Sequence, residues 1–159
     1  MKKDRFLTGI LIGIGVLVVL ALVLFFLRQD KQEYRSENTP EAVAHNYILA
    51  VLGKDYERAY TYLADLDRKP TYEEFRQAFF NGQVNPASSG ADIGSVNING
   101  DEATLSLTLY YGYNDPFSSR QGQQEQALLV NQGGVWKVSS MPYMYWSWDW
   151  YGTNPKSAP

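Results

Sequence analysis

At 159 residues, with 14 Lys and Arg against 17 Asp and Glu, the chain has room for one domain of ordinary size and an attached segment. It holds no cysteine, which excludes disulfides, thiolate nucleophiles, thiolate-held metals and iron–sulfur clusters. From Thr39 onward there are 8 Lys and Arg against 13 Asp and Glu, a net charge of −5, and an acidic body without a basic stripe argues against nucleic acid as a partner.

Residues 6–27, FLTGILIGIGVLVVLALVLFFL, run for 22 residues without a charge. A helix of that length reaches roughly 33 Å, the thickness of a hydrocarbon core. The expectation is an uncleaved signal anchor. A removed signal peptide would have a shorter apolar region ending in a small-residue cleavage site, and none follows here. Lys2, Lys3 and Arg5 precede the stretch while Arg28, Lys31 and Arg35 follow it, and the short basic tail is placed in the cytoplasm. These residues predict a single-pass membrane protein: a cytoplasmic tail over 1–5, a transmembrane helix over 6–27, a juxtamembrane linker over 28–38 and an extracytoplasmic domain. Gly9 and Gly13 form one G-x-x-x-G, which suits a helix–helix dimer in the bilayer or simply reflects how common glycine is in such helices.

The linker, RQDKQEYRSEN, is polar and reads as an irregular segment or a helical continuation. Thr39-Pro40-Glu41 is a helix start, with Thr39 as the cap, proline in the first turn and Glu41 near the positive end. Val43, Tyr47, Ile48 and Val51 then recur at helical spacing, and Gly53 is placed to end the helix. Asp55 caps a second, short helix whose Tyr56, Ala59, Tyr60 and Leu63 share a face. Thr71 and Glu74 match a capping box for a third helix, with Tyr72, Phe75 and Phe79 on its buried side and an end near Asn81-Gly82.

Residues 81–92 read as a loop, after which the apolar period changes from 3.6 to 2. A strand over 93–98 leads into Asn99-Gly100, a strong hairpin signal. The returning strand alternates Ala103, Leu105, Leu107, Leu109 and Tyr111 with Thr104, Ser106, Thr108 and Tyr110. A polar loop over 112–123 and a second hairpin, 126–130 and 135–140 across Asn131-Gln132-Gly133-Gly134, complete the pattern. Helices first and an antiparallel meander after them predict an α+β domain, with about three helices packed on one face of the sheet.

The stretch PEAVAHNYILAVLGKDYERAYTYL, the third helix and the closing Gly134-Val135-Trp136-Lys137-Val138 resemble the nuclear-transport-factor-2-like superfamily over about residues 39–141. That resemblance implies a cone-shaped fold in which a bent antiparallel sheet wraps around the first helix. Members include isomerases, dehydratases, transport factors and anchored domains without known activity, so the resemblance speaks to fold more than to function. In the enzymes of the superfamily an Asp or His and a Tyr in the cone do the acid–base work.

No catalytic constellation emerges from the residues. His45 is the single histidine and would need a partner and a cavity to act as a base. Asp65 and Asp67, ahead of Arg68-Lys69, read as turn residues sooner than as metal ligands. No cofactor is expected. Tyr110, Tyr111 and Tyr113 stand at the rim of the cone, where they would line a pocket for an apolar or aromatic molecule or serve only as strand residues.

The end of the chain is the most informative stretch. Residues 142–152, PYMYWSWDWYG, place Trp146, Trp148 and Trp150 two apart with Met144 in phase. Extended, they would present one apolar face opposite Tyr145, Ser147, Asp149 and Tyr151, with Tyr143 alongside. Such a strip can dock another subunit, close the mouth of its own domain or lie at a membrane interface, and the docking reading is placed first. The chain is therefore expected to be a non-enzymatic, membrane-anchored accessory or assembly subunit, held to a larger membrane complex by its helix and the aromatic tail over 142–159. A small-ligand-binding or sensing domain is the second reading, and an isomerase- or hydratase-type enzyme the third.

Overall fold

The computed structural model describes residues 5–27, 33–86, 89–111 and 122–151. They fall into two compact units, one up to Glu33 and one from Tyr34 onward. The first unit is the helix α1, Arg5–Leu27. Its side chains are described from Thr8 to Leu24 and are exposed within this chain. No helix among the described residues is long and apolar enough to cross a membrane. This corrects the expected transmembrane helix over 6–27, and with it the signal anchor, the single-pass membrane localisation, the cytoplasmic N-terminus and the extracytoplasmic placement of the domain. A Cβ added at Gly9 or Gly13 would meet nothing within 4 Å.

In the second unit three helices precede a four-stranded sheet. Helix α2, Pro40–Leu52, starts where Thr39 Oγ1 accepts the Ala42 N–H, and proline occupies its first turn. It ends at Gly53, as expected, and the Gly53 N–H donates to Leu49 O at 2.8 Å. Gly53 keeps right-handed geometry, and Lys54 takes the left-handed conformation with φ 58°. Asp55 then caps α3, Tyr56–Thr61, by accepting the Arg58 N–H. Helix α4, Tyr72–Phe80, opens on the full capping box: the Thr71 hydroxyl accepts the Glu74 N–H at 3.3 Å while Glu74 Oε2 accepts the Thr71 N–H at 2.8 Å. Phe75 and Ala78 are buried on α4, whereas Tyr72, expected inside, is exposed.

Strands β1 (Ser89–Asn99), β2 (Glu102–Tyr111), β3 (Gly122–Gln132) and β4 (Val135–Ser140) form one antiparallel meander in the order β1-β2-β3-β4. Gly100 turns the first hairpin at φ 61°, and Gly133 and Gly134 turn the second at φ 66° and 89°. Both β1 and β3 begin earlier than local composition suggests. Their weak-propensity ends, Ser89 and Gly122, pair opposite Tyr111 and Tyr110, so the ladder of β2 overrides propensity there. Beyond β4, Leu63 forms a parallel bridge to Val138, with Ala64 N–H donating to Val138 O and Val138 N–H to Tyr62 O, both at 2.8 Å. That contact covers part of an edge that would otherwise stand open.

The core lies between the sheet and α2. Leu105, Leu107 and Leu109 point inward from β2, and Thr104, Ser106, Thr108 and Tyr110 stand on the other face. Helix α2 is buried along most of its length, including Val43, Tyr47, Ile48 and Val51, because the sheet takes one side and other parts of the chain take the rest. Those other parts include the residues expected to be a separate tail.

Candidate functional site

The aromatic end is not an extended strip. After β4 the chain folds through consecutive turns, with Tyr145 N–H donating to Pro142 O at 2.8 Å and Trp150 N–H to Ser147 O at 3.2 Å. A turn destroys the period of two, so side chains assigned to opposite faces end up together inside. Tyr145, Trp146, Ser147 and Trp150 are buried, and Met144 packs against the core. The Tyr47 hydroxyl, fully buried in α2, donates to Tyr145 O at 2.7 Å, and burial pushes its pKa well above the usual phenol range. Trp146 packs edge-on to Trp150 at 5.0 Å and lies parallel to the Tyr151 ring at 5.7 Å. Tyr151 adopts φ 65°, a costly conformation for a bulky residue, held by that stacking and by its hydroxyl donating to Ala64 O at 2.5 Å. Of the expected docking residues only Tyr143, 63% exposed, and Trp148, 79% exposed, remain at the surface.

The expected rim of tyrosines does not line the interior either. Tyr110 stands on the outer face of β2, its ring crossing Gly122, where an added Cβ would come within 3.2 Å of it. The Tyr111 side chain and Tyr113 lie outside the described residues. His45 sits half-buried on α2, its Nδ1 3.4 Å from Asn46 Oδ1, and burial lowers its pKa from 6.5. Asn46, wholly buried, uses its amide on the chain leading into α2: Oδ1 accepts the Arg35 N–H at 2.7 Å and Nδ2 donates to Arg35 O at 2.8 Å. The segment entering the domain is further pinned where Tyr62 donates to Glu37 at 2.8 Å and the Arg58 guanidinium covers the Tyr34 ring at 3.4 Å. Residues 33–36 are irregular, not a continuation of α1. Asp65 pairs with Lys69 at 2.7 Å, which holds its carboxyl below the usual range. Among the described residues no cluster of three metal-ligating side chains occurs.

A groove of about 790 Å³ lies between the α2–α3 corner and α4 with the loop after it. Tyr56 and Phe79 stack in it, centroids 4.7 Å apart at 24°, and Phe80 meets Tyr56 edge-on at 5.9 Å. Val51, Leu52 and Val84 add aliphatic surface, and Lys54, Glu57 and Arg76 supply charge. Phe80 is 64% exposed. Neighbouring positions on an α-helix point about 100° apart. Once Phe79 turns toward the core, Phe80 is driven outward. The Phe79-Phe80 pair is the sequence signal for this groove, and only Phe79 fits the helical period of the buried face.

Several solved structures are similar to this chain. A candidate calcium/calmodulin-dependent protein kinase type II association domain from Thiobacillus denitrificans is 8% identical with a TM-score of 0.50, over 65% of this chain and 92% of that one. A candidate nuclear-transport-factor-2-like transpeptidase from Campylobacter jejuni is 16% identical with a TM-score of 0.44, over 65% and 99%. A cystatin-like fold protein from Nostoc punctiforme is 20% identical with a TM-score of 0.46, over 62% and 81%. Identities this low speak to fold alone. The similar structures include proteins named as nuclear-transport-factor-2-like and as having a cystatin-like fold. No family profile and no curated protein matches the chain.

Proposed function

We propose that the domain is a non-enzymatic accessory module of the nuclear-transport-factor-2-like type, which docks a protein partner through the groove between the α2–α3 corner and α4. The observation that carries this reading is the exposed Phe80 beside stacked Tyr56 and Phe79 in a groove of about 790 Å³. Aromatic side chains are over-represented in interface hot spots, and an open apolar concavity is where such an anchor finds its pocket. Trp148, standing out at 79% exposure, offers a second contact. Tyr47, Phe75, Leu105, Leu107, Leu109 and Trp150 pack together in the core, and the partner docks outside it, in the groove.

The test is affinity purification of the tagged full-length chain against Phe80→Asp, with Thr108→Asp on the outer sheet face as control. A defined set of proteins, recovered in fixed proportion and lost only with Phe80→Asp, supports the reading. Recovery that is the same for all three chains sinks it.

A further inference from the structure

The groove holds an unusual polar group. Arg76 Nε is buried and has no hydrogen-bond partner among the described residues. An orphaned buried donor is uncommon in folded proteins and is relieved by an acceptor brought to it. The carboxylate nearest in sequence, Glu73, approaches only Nη2, at 3.7 Å, beyond a good hydrogen bond. The guanidinium lies 5.3 Å from the Phe80 ring, which is mostly exposed. The remaining charges of the groove bear on what can enter. Lys54 is a second cation, and Asp55 is engaged in capping α3. Glu57 and the net −5 of residues 39–159 oppose any ligand with several negative charges.

We propose that the groove takes a segment of a partner protein carrying one Asp or Glu beside a large apolar side chain, the carboxylate seated on Arg76 and the apolar group on Tyr56, Phe79 and Phe80. A carboxylate presented side-on matches the Nε–Nη2 edge of a guanidinium in a bidentate pair. This rests on the docking reading above and names the partner's chemistry.

The probe is the blocked pentapeptide Ac-Ala-Phe-Glu-Leu-Ala-NH2, labelled for fluorescence polarisation and compared with the same peptide carrying Gln for Glu. Both are titrated against the full-length chain, Arg76→Gln and Phe80→Ala. The Glu peptide is expected to bind about tenfold tighter than the Gln peptide, since a charge-assisted bond is stronger than a neutral one. Arg76→Gln should erase that difference, and Phe80→Ala should weaken both peptides. Equal binding of the two peptides, with both still weakened by Phe80→Ala, would overturn the carboxylate assignment and leave the groove as a docking site. No binding, or binding indifferent to Phe80, would overturn both.

Discussion

The Trp150 indole stacks on the Phe75 ring of α4, centroids 4.8 Å apart and planes inclined by 30°. Phe75 also meets Phe79 edge-on at 5.2 Å, and Phe79 stacks on Tyr56 in the groove. The end of the chain and the groove floor are thus joined by one run of rings. Residues after β4 support the groove from behind and belong to the domain.

Removing either buried indole should be severe. Trp150→Ala is expected to cost about 3–5 kcal/mol, the usual range for deleting a large buried aromatic, and Trp146→Ala a similar amount. Trp148→Ala, at an exposed position, should stay within about 0.5 kcal/mol of the parent. Urea melts of the three variants check this. Equal losses at 148 and 150 would mean that the end of the chain is not packed as described.

A chain truncated after Ser140 should not fold cooperatively. It lacks Met141, Tyr145, Trp146 and Trp150, all buried, and removes the carbonyl that accepts the Tyr47 hydroxyl. Near-ultraviolet circular dichroism and a thermal scan read this directly. A sharp transition in the truncated chain would contradict it.

Asn46→Ala should release the segment entering the domain. It strips the Arg35 N–H and C=O of their partners, with an expected cost of about 1–3 kcal/mol. Hydrogen exchange at residues 34–38 should rise well above that at the core strands, and unchanged protection there would refute the role.

Acid should weaken the fold through two carboxyls whose pKa is depressed in the folded state. Hydrogen bonds from the Thr71 N–H and hydroxyl lower Glu74 from its ordinary 4.5, and the hydrogen bond from Lys69 lowers Asp65 from 3.8. A depressed folded-state pKa contributes stability that is present above the ordinary value and lost as the pH falls through the folded one. Stability should therefore decline as the pH drops below about 4.5, more shallowly in Glu74→Gln and Asp65→Asn. Denaturation midpoints against pH measure the slopes, and parallel curves for parent and variants would rule out these two groups.

Local chemistry was legible wherever it is settled within a few residues. Thr39, Asp55 and the Thr71–Glu74 pair each cap the helix they were expected to cap, and Asn99-Gly100 turns the hairpin. The alternation over β2 also placed Leu105, Leu107 and Leu109 inside. The aromatic end was misread because its period of two survives only in an extended chain. Turns at 142–145 and 147–150 fold it back, and no local residue pattern announces that the Tyr145 carbonyl is anchored by Tyr47, far away in sequence. The groove is likewise tertiary, since Tyr56, Arg76 and Phe80 come from two helices whose packing sequence spacing does not give. The length and apolarity of 6–27 read as a membrane span, which the described helix does not support.

The most direct test of the account is photo-crosslinking from the groove in the protein's own cell. p-Benzoylphenylalanine replaces Phe80 in one full-length chain and Thr108 in another, and both are irradiated before lysis. The account predicts one discrete crosslinked partner from position 80 and none from position 108. An absence of adducts at 80, or the same ladder of adducts at both positions, would contradict it.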